Sequence, residues 1–269
     1  MTSQPPPVGP DLDPSSFPRF NVLGVGVNAL TLARATEAIL AAARARRQGY
    51  VCVSDVNVIS HAQKDPAFKR LLNESFLTTS DGMPLVWLGR RAYGPWVERV
   101  YGPDLLISLF AATNDGSLSH FFYGGAPGVP ELLRDKLLAK FPGARVVGTV
   151  SPPFRPLSGV EFEKLRDEVA AVRPDIFWVG LGAPKQERFM AEFSGKLDTS
   201  VMIGVGAAFD FHSGRVKQAP LWMQRNGVEW LFRLGSQPRR LARRYAVNVP
   251  LFIARTALQL SGLRKYRIG

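Results

Sequence analysis

The sequence predicts a Rossmann-like layered α/β fold with a largely parallel sheet, followed by a helical, strongly basic C-terminal appendage. Short runs rich in β-branched and aromatic residues alternate with stretches of helical periodicity, which is typical of a parallel sheet covered by helices. The strand signals stop after about residue 213. Beyond that point, residues 215–269 hold twelve lysines and arginines against a single acid, Glu229.

Seven segments have the composition and the flanking turn residues of β-strands: 20–27, 50–57, 76–82, 120–126, 144–150, 175–182 and 200–211. The stretches between them place apolar residues three and four positions apart over at least three turns, most clearly in 30–47, 128–141 and 159–172. Asp65 followed by Pro66 predicts a further helix start, with a capping carboxylate and a proline at the first helical position.

After the last strand, the sequence predicts helices at 219–234, 237–247 and 250–262, two of which would begin at Pro238 and Pro250. The last of these helices is mostly apolar and is flanked by arginines. It fits either an amphipathic helix packed on the body or a helix lying in a membrane interface, and the sequence leaves both open.

The chain divides into three expected parts: a disordered lead-in (1–18) rich in proline and serine, an α/β catalytic domain (19–213) and the basic appendage (214–269). The first residues lack the basic and apolar regions of a secretory signal. No charge-free apolar run reaches 18 residues, so no membrane span is predicted. The one cysteine, Cys52, suits a reducing cytosol.

The net charge of +12 is concentrated in the appendage, because the first 214 residues hold 22 bases and 21 acids. Such segregation predicts an anionic partner for the appendage: phosphates, nucleic acid or an acidic membrane surface. An ordinary solvated helix surface, the simpler alternative, normally intersperses acids among its bases.

Three predicted strands end in glycine-containing loops, two of which open helices, and ligands of open parallel sheets bind at such strand ends. Gly124 and Gly125 would let a phosphate approach the backbone at a helix start. In the second loop, Lys185 and Gln186 would offer a cation and an amide to a ligand. Tight turns and exposed helix starts use the same residue types for purely structural reasons, so both interpretations remain open at this point.

Three aspartates are predicted to end strands: Asp55, Asp81 and Asp210. A carboxylate that faces the crevice can take a proton from a hydroxyl, and Asp81 is the best candidate for this base. Its structural alternative is capping the helix that follows. Asn57, beside Asp55, would offer hydrogen bonds to a ligand.

Other chemistries lack their motifs. The chain has no C-x-x-C, no H-E-x-x-H and only three histidines, so no metal site is predicted. No strand is followed by a complete G-x-G-x-x-G, and the phosphate-binding loop of nucleotide hydrolases is absent. A dinucleotide cofactor is therefore not expected.

A series of motifs, taken in order over roughly residues 50–245, resembles the WecG/TagA/CpsF glycosyltransferases, glycosyltransferase family 26. The motifs are TTSDGMPLVW, ERVYGPDL, FFYGGAPGV, SPPF, PDIFWVGLGAPKQE, GVGAAFDFHSG and QRNGVEWLFRL…PRRLARRY. The resemblance implies a bacterial enzyme that moves a sugar from a UDP-sugar onto a polyprenyl-diphosphate-linked acceptor. It further implies inversion of the anomeric centre, no metal or other cofactor, and a role in making cell-surface polysaccharide such as exopolysaccharide, capsule or teichoic acid.

The resemblance also implies roles for individual residues. Asp81 stands at the position of the proposed general base. Asn57, Gln186 and Asp210 match positions at the substrate pocket. Many relatives carry a threonine where this chain has Asp55, so the grip on the sugar hydroxyls is expected to differ here.

Arg233, Arg240 and Arg243 match arginines thought to hold the lipid diphosphate. The implied partners are the UDP-sugar donor, the lipid-linked acceptor and an anionic membrane surface, with the enzyme peripheral on the inner face of the cytoplasmic membrane and no nucleic acid bound. Self-association into homo-oligomers is left open.

Two rival functions remain. A nucleic-acid-binding protein would use the basic appendage on phosphates, but this leaves the glycine-containing strand ends without a task. A methyltransferase or oxidoreductase would use the Rossmann-like sheet and would bind S-adenosylmethionine or NAD in place of UDP.

Overall fold

A sheet of six parallel strands forms the centre of the protein. The computed structural model describes residues 17–269 apart from the side chain of Arg240. Residues 1–16 of the predicted lead-in lie outside the described residues. The strands in chain order are β1 (Arg19–Val22), β2 (Val25–Asn28), β3 (Gly49–Ser54), β4 (Leu77–Ser80), β5 (Ser119–Gly124), β6 (Arg145–Val150), β7 (Ile176–Gly180) and β8 (Val201–Gly204). The central sheet has the order β4-β3-β8-β7-β5-β6, so the predicted layered α/β fold is confirmed.

Helices join and cover these strands, and the chain ends in helices alone. In order they are α1 (Leu32–Arg44), α2 (Val56–Ala62), α3 (Pro66–Glu74), α4 (Met83–Tyr93), α5 (Gly102–Ala112), α6 (Val129–Lys140), α7 (Gly159–Val172), α8 (Lys185–Phe193), α9 (Ala208–His212), α10 (Leu221–Arg225), α11 (Glu229–Ser236) and α12 (Pro238–Leu260). The predicted start of α3 is confirmed: Asp65 accepts hydrogen bonds from two backbone N–H groups, and Pro66 occupies the first turn.

Each face of the central sheet carries its own apolar core, because successive side chains of a strand point to opposite faces. On β3, Val51 and Val53 join the core formed with α1, α5 and α6. Tyr50 and Cys52 join the second core, formed with α2, α3, α7 and α8. Since both faces are filled, a ligand can reach the sheet only at the ends of its strands.

The segment 20–27 was expected to be a single strand, and this is wrong: it forms the antiparallel hairpin β1–β2, outside the central sheet. Leu23 and Gly24 turn the chain, both with positive φ (54° and 87°), as a two-residue hairpin turn requires. The hairpin still joins the body, because the side-chain oxygen of Asn28 accepts a hydrogen bond from the Thr78 backbone at 2.9 Å.

The predicted strand 200–211 is too long, and Asp210 does not end a strand. β8 stops at Gly204, and Asp210 lies in the short helix α9. Gly206, with φ of +50°, breaks the extended run, and Phe209 then packs into the core. A short apolar run fits a buried helix as well as a buried strand, which is why its pattern misleads here.

The helices of the appendage differ from the prediction in two places. The predicted helix 219–234 is split into α10 and α11 by a turn at Gly227, where φ is +73°. Pro238 begins α12 as predicted, but the expected break before Pro250 is wrong, because α12 continues through it. Pro250 is exposed, so the single backbone hydrogen bond it removes leaves a carbonyl on the solvent side. The domain boundary between residues 213 and 214 stays a prediction.

Helix α12 packs on the body along its length, with Phe252 buried. Near its end, Gln259 bridges to the hairpin: its Nε2 donates to the carbonyl of Asn21, and its Oε1 accepts from the backbone of Leu23, both at 2.8 Å. On the outer face of α12, Ile253 is 61% exposed. Of the two arrangements left open for this helix, the structure has the packed one. None of the described helices has both the length and the apolar character needed to cross a membrane.

Candidate active site

A cleft of about 600 Å³, part of it open to solvent, lies at the carboxyl ends of four neighbouring strands, β4, β3, β8 and β7. The chain passes here from β4 at one edge of the sheet to β5 on the other side, and ligands of open α/β sheets bind at such switches of strand order. The polar and charged side chains that line the cleft are those of Asp55, Asp81, Tyr101, Gln186, Arg233 and Arg244. Body and appendage therefore both contribute to one site.

Asp81 follows β4 directly and lies half-buried at the cleft wall. Its Oδ1 accepts a hydrogen bond from the backbone N–H of Gly102, at the start of α5, at 3.0 Å. Burial raises the pKa of Asp81 to about 7; the Arg99 guanidinium acts against this shift, and the Asp55 carboxylate adds to it. The capping alternative does not apply, because the N-cap of α4 is Gly82.

Asp55 follows β3 and has partners on both carboxylate oxygens. Oδ1 caps α2 by accepting from the backbones of Asn57 and Val58, each at 2.9 Å. Oδ2 forms an ion pair with Arg244 Nη2 at 3.0 Å. Asn57 is buried, does not line the cleft, and accepts a hydrogen bond from Asn248 Nδ2 at 3.2 Å. The structure thus joins both predicted ligand-binding residues to α12.

Gln186 and Lys185 begin α8 as predicted, but only Gln186 lines the cleft. Gln186 is fixed on both sides: its Oε1 accepts from the Gly182 backbone at 3.1 Å, and its Nε2 donates to Glu187 Oε1 at 3.0 Å. Burial raises the pKa of Glu187 to about 7. Lys185 is exposed and lies over the ring of Phe154, 4.0 Å from its centroid.

Gly124 and Gly125 end β5 but do not line the cleft. Both have positive φ, 130° and 76°. A Cβ on Gly124 would lie 2.6 Å from the backbone of Gly180 on the neighbouring strand. Close packing between strands therefore accounts for Gly124, whereas a Cβ on Gly125 would lie 3.0 Å from the side chain of Val129. Their phosphate contact stays a prediction.

Asp210 lies in a second, smaller and shallow cleft of about 330 Å³, part of it open to solvent. Lys217, Phe211 and Arg233 also line this cleft, and Phe211 and Arg233 line the larger one as well. The two clefts are therefore neighbours with a shared wall. The substrate role of Asp210 stays a prediction, now placed in this side cleft.

The three arginines predicted to bind diphosphate have different positions. Arg233 lines both clefts and is 4.0 Å from Glu229, a distance at the limit of an ion pair. Arg243 is exposed on α12 and does not line the cleft. The backbone of Arg240 belongs to α12, and its side chain lies outside the described residues.

Sequence reasoning missed the residues that fasten the appendage beside Asp81. Glu229 is buried, with its Oε2 2.7 Å from Arg99 Nη2 and its Oε1 accepting from the Tyr101 hydroxyl at 2.9 Å. The Nε of Arg99 donates in turn to the main-chain carbonyl of Asp81. A signal for this cluster existed, because Glu229 is the single acid among twelve bases.

The site combines a proton acceptor with anion-binding groups. At about pH 7, a carboxylate whose pKa is near neutrality can take a proton from the hydroxyl group of a substrate. Two guanidinium groups in the same cleft suit the oxygens of phosphates, which arginine can bind in pairs. Within residues 17–269, no three His, Cys, Asp or Glu side chains are grouped so that they could hold a metal ion.

Comparisons with known proteins give a matching family and two relatives. The model of the glycosyl transferase WecG/TagA/CpsF family matches residues 20–266. The chain is 27% identical, over 76% of its own length and 77% of the relative's, to an N-acetylglucosaminyldiphosphoundecaprenol N-acetyl-beta-D-mannosaminyltransferase of Bacillus spizizenii. It is 29% identical, over 73% of its length and 78% of the relative's, to a protein of the same name from Bacillus subtilis.

Proposed function

Because the chain belongs to the WecG/TagA/CpsF family of glycosyl transferases, we propose that it moves a sugar from a UDP-sugar onto a polyprenyl-diphosphate-linked saccharide. The enzyme class is a hexosyltransferase. The names of the two Bacillus relatives describe an acceptor in which N-acetylglucosamine is joined to undecaprenol through a diphosphate. The observation that carries the proposal is Asp81, with its raised pKa, in the cleft that Arg233 and Arg244 also line.

The reaction is a single displacement. An oxygen of Asp81 takes the proton of an acceptor hydroxyl as that hydroxyl oxygen attacks the anomeric carbon of the donor. The new C–O bond forms while the bond from the anomeric carbon to the diphosphate breaks, and UDP leaves with the bonding electrons. Attack from the side opposite the leaving group inverts the anomeric centre.

Protein cations replace a metal in this proposal. The leaving diphosphate gains negative charge as the glycosidic bond breaks, and fixed positive groups around it lower the barrier. Arg233 and Arg244 line the cleft where that charge would develop. Guanidinium groups suit this role, because their fork of donors matches the oxygens of a diphosphate.

The sugar transferred is proposed from the relatives. N-acetylmannosamine is the first donor sugar to test, because the two Bacillus proteins are named as N-acetylmannosaminyltransferases. UDP-glucose and the uronic acid of N-acetylmannosamine complete the screen. Release of UDP in the presence of a lipid-linked N-acetylglucosamine acceptor measures transfer with each donor.

The test of the mechanism is the substitution Asp81→Asn, which removes the proton acceptor and keeps the size of the side chain. We expect kcat to fall at least about a hundredfold, with UDP-sugar binding by calorimetry nearly unchanged. Asp135→Asn, at an exposed acid of α6, is the matched control and should leave kcat unchanged. Near-normal turnover by Asp81→Asn would eliminate Asp81 as the base.

The enzyme is further proposed to act as a peripheral protein on the inner face of the cytoplasmic membrane, where its lipid-linked acceptor resides. Support comes from the appendage, which exposes arginines together with apolar side chains. Trp222 is 62% exposed and Leu221 66% exposed. Basic and aromatic side chains on one segment suit an anionic lipid surface.

A further inference from the structure

We propose that Arg244 binds a substrate diphosphate in the cleft and that Asp55 positions it without contacting the substrate. This assignment differs from the sequence-based one, which gave Asp55 a direct contact with substrate and did not select Arg244. It rests on the proposed function only for the identity of the diphosphate, since binding of an anion in the cleft can be measured without any transfer.

The first observation is a buried donor on Arg244. Its Nη2 pairs with Asp55 Oδ2 at 3.0 Å, whereas its Nε is buried and has no hydrogen-bond partner among the described residues. Burying an N–H donor without a partner costs free energy, so such a donor in a native protein calls for an explanation. Arg244 lines the cleft at the carboxyl ends of β3 and β8. An anion bound there would supply oxygens that accept hydrogen bonds from the guanidinium of Arg244, including its unpartnered Nε.

The second observation is that Asp55 is fully engaged inside the protein. Its Oδ1 receives two backbone N–H groups at the start of α2, each at 2.9 Å, which fixes the orientation of the carboxylate. Its Oδ2 then holds one edge of the Arg244 guanidinium. Arginine binds phosphate with a planar fork of donors, so fixing one edge orients the others and reduces the entropy lost on binding.

The charges also require this division of roles. A phosphate placed directly against the Asp55 carboxylate would be repelled, because the two groups carry the same sign of charge. Arg244 pairs with that carboxylate and offers its remaining donors to a ligand. Arg233 lines the same cleft, and its acid partner among the described residues is Glu229, at 4.0 Å. Two guanidinium groups thus face one cleft, which matches the two phosphates of a diphosphate.

Both substrates of the proposed reaction contain a diphosphate, and the experiment separates them. Arg244→Gln is compared with the wild type for binding of inorganic pyrophosphate by calorimetry, and for the KM values of the UDP-sugar and of the lipid-linked acceptor. We expect pyrophosphate binding to weaken at least tenfold and one of the two KM values to rise by a similar factor. The KM that rises identifies the diphosphate that Arg244 holds.

The controls use the same helix and the same chemistry. Arg239→Gln removes an exposed arginine in the first turn of α12 and should leave pyrophosphate binding unchanged. Arg244→Lys should recover little, because an ammonium group cannot both pair with Asp55 and present the same fork. Wild-type pyrophosphate binding by Arg244→Gln, or unchanged KM values for both substrates, overturns the assignment of Arg244.

The role of Asp55 is tested by Asp55→Asn, which keeps a capping oxygen for α2 and removes the charge. We expect the same KM to rise about threefold with little change of kcat above pH 8. The acid limb of the pH profile should move to lower pH, because the Asp55 carboxylate contributes to the raised pKa of Asp81. In the double variant Asp55→Asn/Arg244→Gln, the loss should equal that of Arg244→Gln alone. Additive losses would place Asp55 in direct contact with substrate and overturn its positioning role. Asp55→Ser, which also caps helices, serves if the asparagine variant does not fold.

Failure of this inference and failure of the proposed function give different results. In one outcome, the wild type transfers no sugar with any donor, while Arg244→Gln loses the pyrophosphate binding that the wild type shows. That result refutes the function and retains the diphosphate site. Active transfer with no effect of Arg244→Gln refutes the site and retains the function.

Discussion

The Asp81 carboxylate experiences opposing electrostatic influences at one position of the cleft. Burial raises its pKa to about 7, with a further contribution from Asp55, while Arg99 and the N–H of Gly102 favour the ionised form. A base with a pKa near the working pH is both available in its ionised form and strong enough to take a proton. The local structure therefore suits the proton transfer proposed for it.

The pH dependence of transfer follows from this pKa. Because Asp81 must be ionised to accept a proton, kcat/KM should fall about tenfold per pH unit below pH 7 and level off above it. A carboxylate at its ordinary pKa would keep the rate constant down to about pH 5. Initial rates of UDP release between pH 5 and 9 measure this profile, with UDP-sugar binding measured at the same pH values as the control. A flat profile from pH 5 to 8 would contradict the prediction.

At single positions, the sequence could predict which aspartates lie near strand ends but not the directions of the side chains. Asp55 and Asp81 follow β3 and β4 directly, although β3 ends three residues and β4 two residues before the predicted ends at 57 and 82. Lys185 has the predicted place at the start of α8, yet its side chain turns to Phe154 and away from the cleft. Gly124 matches its predicted turn, but it contacts another strand. These outcomes depend on tertiary packing, which a local pattern does not encode.

Among the elements, α11 is joined to the wall of the active-site cleft through a shielded ion pair. Its first residue, Glu229, reaches Arg99 and Tyr101, and Arg99 reaches the backbone of Asp81. Both charged side chains of this pair are mostly shielded, with 17% of Arg99 and 10% of Glu229 exposed. Removing one partner of such a pair leaves the other charge shielded from water and less well neutralised.

We therefore expect Glu229→Gln to lower the free energy of unfolding by about 3 kcal/mol, because it removes one of the two carboxylates, Asp81 and Glu229, that neutralise the shielded Arg99. Glu168→Gln is the matched control: its partner Lys164 is 3.9 Å away and 78% exposed, so the loss should stay below about 0.5 kcal/mol. Urea unfolding curves measure both losses, provided that the dependence of the free energy of unfolding on urea concentration has the same slope in all variants. Equal losses for the two substitutions would show that the shielded pair has no special weight.

The boundaries of elements were least predictable where glycine and proline act against expectation. Leu23 and Gly24 make a hairpin inside an apolar run that was interpreted as one strand. Pro250 is tolerated in the middle of α12, although a proline usually marks a helix start or end. This continuity has a consequence for the site. The orientation of one long helix about its own axis places Arg244 in the cleft and leaves Arg243 exposed.

For the molecule as a whole, the uneven charge is the property that the sequence predicted best. The appendage carries nearly all of the net charge of +12, and the structure brings Arg233 and Arg244 from it to the carboxyl ends of the parallel strands. The remaining exposed arginines lie among exposed apolar residues of the same segment. One segment thus supplies both cations for the cleft and an outer surface suited to anionic lipid.

This outer surface predicts how the protein meets a membrane. Vesicles that contain anionic phosphatidylglycerol should bind the protein, and binding should weaken with added salt, because each basic residue near such a surface contributes about 1 kcal/mol. Trp222→Ala should weaken binding on the order of fivefold, since it removes an exposed aromatic side chain that can enter the interface. Phe154→Ala, which removes an exposed aromatic ring outside the appendage, should have no effect. Sedimentation with vesicles measures both.

Binding to neutral phosphatidylcholine that equals binding to anionic vesicles would contradict the electrostatic part. Oligonucleotides that bind more tightly than vesicles would favour the rival nucleic-acid function, because phosphate charge alone would then select the partner.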